Sequence, residues 1–421
     1  MPNALVVADD LTGAMDTGHG FAARGREVRV RRSADAGRAD TDAGSDVLVV
    51  DTDTRDADPE TAAAAVTRAV ESHPADLVYE KVDSTLRGNV VAGVDGAVAA
   101  AGTDLAVVAP AFPATGRTTE GGRHFVDGTP LAEAGYGVAD SDLREYFAAS
   151  EYRVTRLDID TVSTGAAAVA ERLADRAAGD RPALVVCDAR TDDHLEAIAA
   201  GAASLDEPAL YVGSGGLAAH VGVPGDPPEG AAGSADPAAD PRSAGVLGVV
   251  GSVNERTLDQ LGTVDDDALV RLDPAAAVRE PERAGRAAAE SLSALLDWRG
   301  RAVVTAATDA EDVRAAERAA GEMGGDATAA DRVATALAAA ARATVEASPP
   351  AGLVLTGGDT AGAVLDALDA EAIDLAGEAV AAGVPIGTVA TGPATGTRVA
   401  TKAGGFGTER AILNCLDAVG R

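Results

Sequence analysis

Short apolar runs rich in β-branched residues recur along the chain, each leaving into polar or glycine-rich residues before an alanine-rich stretch. In the first half they are ALVVAD (4–9), DVLVVD (46–51), DLVYEKV (76–82), DLAVVAP (104–110), ALVVCD (183–188) and ALYVG (209–213). In the second half they are GVLGVVG (245–251), AVVTAA (302–307), GLVLTG (352–357) and PIGTVA (385–390). Between them lie segments with helical length and propensity, such as TAAAAVTRAVES (61–72) and DRVATALAAAARATVEA (331–347). This alternation predicts an α/β fold with mainly parallel sheets.

One segment breaks the alternation. PGDPPEGAAGSADPAADP (224–241) carries five prolines and almost no apolar bulk, the composition of a solvated, stiff linker. It predicts two α/β domains, residues 1–222 and 245–421, joined by a linker over 223–244. In open parallel sheets, ligands bind outside the carboxyl ends of the strands. The exits DDLTGA, DTDTR, DSTLRGN, AFPATGR, DARTDD and GSGG carry an unusual share of ionisable groups. Closure of two such domains about the linker predicts an active site in the interdomain cleft.

Composition narrows the function classes. Acids number 67 against 35 bases, a net charge of −32, which repels phosphate backbones and argues against nucleic-acid binding. No apolar run reaches the roughly 18 to 20 residues that span a bilayer, and MPNALVVADD lacks the basic start of a signal peptide. A cytoplasmic enzyme without membrane partners is expected, and a homodimer is compatible with the sequence. The bases include only two lysines, Lys81 and Lys402. Abundant acid and near-absent lysine fit a salt-rich, halophilic cytosol, where salt screens self-repulsion; a codon bias toward arginine accounts for the lysines equally well. Cys187 and Cys415 read as buried thiols, and the histidines show no zinc-ligand spacing.

Candidate chemistry gathers at strand exits. Asp9 and Asp10 end the first run, where adjacent carboxylates supply a general base, bind a sugar hydroxyl or simply cap a helix. DTDTR (51–55) resembles an aspartyl-phosphate motif only faintly, with Arg55 where Thr or Val belongs, and reads as a polar strand end within reach of substrate. In EKVDSTLRGN, Lys81 and Asp83 share one face of an extended segment, and Ser84, Thr85 and Arg87 follow. Arg87 can grip a carboxylate bidentately and Lys81 offers a compact charge. The long connection 110–131 holds Arg117, Arg123 and His124, a lid or binding loop suited to an anion.

The second half repeats one plan. A strand, a glycine turn and a helix occur at VVGSVNERTLDQL (249–261) and at LVLTGGDTAGAVLDAL (353–368), and TKAGGFGTERAI (401–412) adds a third glycine turn. Such turns let phosphates approach backbone N–H groups at a helix N-terminus. Neither a P-loop nor a dinucleotide fingerprint is present.

Taken together, ADDLTGA, KVDSTLRGN, PAFPATGR, TGGDTAGAV and the K-x-G-x-FG element (Lys402 to Gly407) resemble the four-carbon acid sugar kinase family over nearly the whole chain. The resemblance implies a sugar-acid-binding domain followed by a nucleotide-binding domain. It implies ATP at Ser252, Gly357, Gly358, Asp359, Thr360, Lys402 and Gly404, and the acid sugar near Asp9, Asp10, Lys81, Asp83, Ser84, Arg87 and Arg117. The expected reaction is ATP-dependent phosphorylation of a terminal hydroxyl, with Asp10, then Asp83, as proton acceptor and Asp359 as a Mg²⁺ ligand. A 3-oxo-tetronate or longer aldonate substrate, or a non-catalytic sensor, are the alternatives. Met15, Ala403 and Gly405 depart from the residues more usual in the family.

Overall fold

Every apolar run named above forms a strand, because a run buried on both faces needs no alternation to be satisfied in a parallel sheet. The computed structural model describes residues 1–32, 44–179, 181–225, 245–325, 327–381 and 383–421. Two compact units divide the chain, residues 1–231 and 232–421. Of the predicted linker, residues 226–244 lie outside the described residues.

The first unit contains β1 (Ala4–Ala8), β2 (Val28–Arg32), β3 (Val47–Asp51), β4 (Leu77–Lys81), β5 (Leu105–Ala109), β6 (Arg117–Glu120), β7 (Arg123–Val126), β8 (Thr129–Pro130), β9 (Arg153–Leu157), β10 (Ala183–Cys187) and β11 (Leu210–Gly213). Its main sheet runs β2-β3-β1-β4-β11-β5-β10-β9, with every pair parallel. Strand order reverses beside β1, since β3 lies on one side of it and β4 on the other. That switch point leaves a crevice at the strand ends. The connection predicted as a long loop is instead a small antiparallel sheet, β6-β7-β8. Its short polar strands carry no apolar run to announce them.

The second unit contains β12 (Val246–Val250), β13 (Leu269–Arg271), β14 (Arg301–Thr305), β15 (Gly352–Thr356), β16 (Ala372–Ala381), β17 (Val384–Val389) and β18 (Arg398–Lys402). The order is β13-β14-β12-β15-β18-β17-β16. Pairs from β13 to β18 are parallel, whereas β17 pairs antiparallel with both β18 and β16. Here too the order reverses, between β12 and β15.

Helices cover the sheets as their caps dictate. Asp58 caps Pro59–Ser72 with proline in its first turn. Thr328 and Asp331 form a capping box on Ala329–Ala347. No helix among the described residues is long and apolar enough to cross a membrane. Cys187 and Cys415 are free and buried.

Candidate functional site

At the switch point of the first unit, three strand exits converge. β1 ends in Asp9 and Asp10, and Asp10 caps the helix Leu11–Ala22, its Oδ1 accepting from the Gly13 N–H at 2.8 Å. β3 ends in the DTDTR turn, which brings Arg55 back over both carboxylates. Arg55 donates to Asp9 Oδ2 (2.9 Å) and Oδ1 (2.6 Å), and to Asp10 Oδ2 (2.7 Å) and Oδ1 (3.0 Å). One guanidinium therefore bridges two adjacent acids and offsets one of their two charges. Burial pushes the Asp9 carboxyl above its ordinary range, although Arg55 draws it back. Gly88, at φ 87°, closes this cluster: a Cβ there would sit 2.8 Å from Asp9 Oδ2.

β4 delivers the next group. Lys81 is buried, and its Nζ donates to the Val82 carbonyl at 3.0 Å. A Cβ on Gly13 would lie 3.0 Å from that Nζ and 2.6 Å from Asp10 Oδ1, so only glycine fits between them. Asp83 takes a bidentate grip from Arg87, at 2.7 Å from Nε and 3.0 Å from Nη2, and the Thr85 hydroxyl donates to it. Burial would raise the Asp83 carboxyl, but Arg87, Arg55 and Thr85 together hold it well below the usual range. Arg87 is half exposed. Ser84 is fixed through its carbonyl, which accepts from His124 Nε2 at 2.8 Å. His124 is buried and neutral: burial lowers its ring to about 4. With Nε2 donating to a carbonyl, Nδ1 accepts from the Thr119 hydroxyl at 2.9 Å.

Arg117, at the start of β6, donates to the Thr115 carbonyl and to Tyr136 Oη (3.3 Å), while its buried Nε has no hydrogen-bond partner. Asp16, one turn into the helix Leu11–Ala22, has its carboxyl raised by burial and drawn back by Lys81 and His19. Met15 is fully buried. Asp51, the first residue of DTDTR, is buried, and its carboxyl is pushed up to about 8 by burial, which Arg32 only partly offsets.

The second unit's switch point is built mainly from backbone. After β12, the Gly251 and Ser252 N–H groups donate to the Thr356 carbonyl at 3.1 and 3.2 Å, and after β15 the Gly357 N–H donates to the Lys402 carbonyl at 3.0 Å. Gly357, at φ 98°, leads into the helix Gly358–Ala367, which has no side-chain cap, so its first N–H groups are not taken by a cap side chain. Asp359 is exposed in its first turn, and Thr360 is buried. The turn after β18 packs on the Ser252 turn: a Cβ on Gly404 would overlap Ser252 Oγ. Thr257 donates to the Gly404 carbonyl at 2.8 Å, and Gln260 to the carbonyls of Phe406 (3.1 Å) and Thr408 (2.9 Å).

Arg55 is the group whose partners the sequence does not announce. Its polar exit was visible, but partners 45 and 46 residues away leave no mark in local spacing. Of the other residues expected at the sugar acid, Asp9, Asp10, Lys81, Asp83, Ser84 and Arg87 fall at the ends or exits of β1 and β4, and Arg117 starts β6 in the small sheet. Those expected at the nucleotide fall at the exits of β12, β15 and β18.

A sugar-binding N-terminal domain model matches residues 4–221, and a nucleotide-binding C-terminal domain model matches residues 247–412. The chain belongs to the four-carbon acid sugar kinase family. Within that family it is 36% identical to a D-threonate kinase of Cupriavidus necator, covering 99% of this chain and 97% of the relative. A D-erythronate kinase of Heliobacterium modesticaldum is 32% identical, over 99% and 97% of the two chains. A 3-oxo-tetronate kinase of Methylobacterium radiotolerans is 34% identical over 95% of each. The fold matches that of Haemophilus influenzae protein HI1011, with a TM-score of 0.76 and 22% identity over 98% of this chain and 99% of that one.

Proposed function

We propose that this chain catalyses ATP-dependent phosphorylation of the terminal hydroxyl of a four-carbon acid sugar, of the D-threonate or D-erythronate kind, giving the 4-phosphate. The observation that carries the reading is the end-to-end match to kinases of those acids. The cationic groups of the first unit support it, being suited to a small hydroxylated anion.

Phosphoryl transfer asks a protein mainly for positioning and charge neutralisation. Arg87 and Arg117 take the substrate carboxylate, with Asp83 keeping Arg87 aimed. Lys81 and Ser84 hold hydroxyl groups. The Asp9–Asp10 pair, steadied by Arg55, accepts the hydroxyl proton, with Asp10 at the helix cap. Burial raises Asp9 toward a useful basicity, whereas Asp83 is held too low to be a good acceptor.

In the second unit, the N–H groups at Gly358 and Thr360, in the first turn of the helix that Gly357 leads into, receive phosphate, and Ser252 and Gly404 flank it. Among the described residues no three His, Cys, Asp or Glu form a metal cluster. A single carboxylate such as Asp359 suits Mg²⁺, which takes one or two carboxylates plus substrate phosphates and waters. Mg²⁺ held there would offset phosphate charge.

The test is ADP release from ATP over a panel of D-threonate, D-erythronate, 3-oxo-tetronates and longer aldonates, in high salt. Preferred turnover of a D-tetronate supports the proposal. Preference for a 3-oxo-tetronate, a reading favoured by the 34% identical relative, would replace the substrate. No turnover with any acid would leave a binding protein.

A further inference from the structure

Arginine has displaced lysine almost everywhere in this chain, and Lys402 is one of two exceptions. A lysine retained to bind phosphate presents its ammonium to the ligand. Lys402 instead turns inward. It is 1% exposed at the end of β18, and Nζ donates to the carbonyls of Ala403 (3.0 Å), Gly404 (3.3 Å) and Phe406 (3.3 Å). Thr257 Oγ1 lies 3.5 Å away. An ammonium has three hydrogens and no lone pair, so these carbonyls use its whole donor capacity. Gln260 grips the Phe406 carbonyl from a second side. The turn so held presses Gly404 against Ser252 and leaves Phe406 37% exposed.

We propose that Lys402 is a positioning residue for nucleotide binding, whose buried ammonium gathers the carbonyls of the 403–406 turn and so sets where Gly404 and Phe406 meet the nucleotide. The inference deepens the reading of this unit as the ATP site, and rests on it. It also explains the surviving lysine: a planar guanidinium cannot point its donors at three carbonyls converging on one atom. The titratable groups facing Nζ are Cys415, from the helix Ala411–Val419, and Arg256, from the helix Glu255–Leu261. Burial lowers the ammonium to about 8, with Cys415 opposing and Arg256 adding to it. Loss of the proton removes the charge from these bonds, so nucleotide affinity falls as pH rises through that value.

Calorimetric titration of ADP into the full chain tests this, run from about pH 7 to about pH 9.5 so as to cross the Lys402 value. The wild type should lose about tenfold in affinity across that range, a loss worth roughly one pKa unit of coupling. Lys402→Met should lose about as much already at neutral pH and show no further dependence. Lys402→Arg should fail to restore binding, and Gln260→Leu, which alters no charge, should weaken it several-fold. Restoration by arginine would mean that charge alone suffices, and a silent Gln260→Leu that the placement of the turn does not govern binding; either result overturns the proposal. Should Lys402→Met not fold by circular dichroism, the wild-type pH profile and Gln260→Leu decide. ADP binding without these effects sinks the proposal alone. No ADP binding by the wild type sinks the nucleotide reading, and the proposal with it.

Discussion

The two units place their candidate sites at the same topological position and build them from opposite materials. Both sites lie where strand order reverses, at the exits of β1, β3 and β4 in one unit and of β12, β15 and β18 in the other. The first is made of charged side chains already paired with one another: Arg55 with Asp9 and Asp10, Arg87 with Asp83. The second is made of backbone groups, glycines and an inward-facing lysine. A site of paired charges holds its shape through ion pairs that an anionic substrate can repartition. A backbone site holds its shape through dihedral angles and close approach. The first should therefore fail when a charge is removed, and the second when a methyl group is added.

The largest expected effect is in the charged site. Arg55→Ala leaves two adjacent, mostly buried carboxylates without their cation. Removing one partner of a buried pair costs about 3–5 kcal/mol, so thermal unfolding should move sharply downward and turnover should be lost. An unchanged melting temperature would mean that Asp9 and Asp10 are held by something else. Arg55→Lys should recover only part of the loss, because four bonds from one guanidinium need its fork.

A second prediction concerns the neutral prop beneath the charged site. His124 is buried, its ring lowered from 6.5 to about 4, so between those values the unfolded chain binds the extra proton. Stability from this group is therefore complete above about pH 6.5 and lost as pH falls toward 4, by an order of about 3 kcal/mol. Asp51 titrates in the opposite sense, since its raised carboxyl stabilises the fold at low pH and loses that contribution as pH rises toward 8. The measurement is thus the difference in denaturant midpoint between wild type and His124→Gln, in which Asp51 cancels. A difference that does not change with pH would show that His124 is not held neutral.

These two residues also mark what the sequence could tell. Strands buried on both faces, such as β1, β5 and β12, are legible because a continuous apolar run has no other comfortable place. β2, Val-Arg-Val-Arg-Arg, was missed because its charges mask it, although Arg31 and Arg32 are buried in the fold. β16 was missed because most of its later residues are not buried. The β17 run was legible as a strand, but a short run does not encode direction, and its antiparallel pairing came only with the structure. The positions in KVDSTLRGN were legible as a cluster from their spacing. The closure of Arg55 over Asp9 was not, because it depends on a register between β1 and β3. The direction of the Lys402 side chain is likewise a matter of packing.

The backbone site supplies the third prediction. Gly357 has φ 98°, and a Cβ there would approach the Ser252 N at 3.2 Å. Gly357→Ala should cost roughly 1–2 kcal/mol of local strain, read mainly as a rise in KM for ATP with little change in KM for the sugar acid. If both constants rose together, the glycine turn would be shaping the fold at large rather than the nucleotide site.

The smallest effect tests the charged site by shape alone. Lys81→Arg keeps the charge, so a site that worked by charge only would accept it. Yet Lys81 Nζ is wedged between Gly13 and the Val82 carbonyl, with 3.0 Å to each of the Gly13 Cβ position and the carbonyl oxygen. A guanidinium is broader than an ammonium and cannot enter that gap without moving the helix Leu11–Ala22 at its Asp10 cap. Overpacking of this kind costs about 1–3 kcal/mol, and at its lower end KM for the sugar acid should rise about fivefold while KM for ATP holds. Lys81→Met, which keeps the shape and removes the charge, should be worse than arginine if charge dominates and milder if fit dominates. Measured together, the two substitutions decide whether this unit differs from its neighbour in kind, or whether close packing governs both.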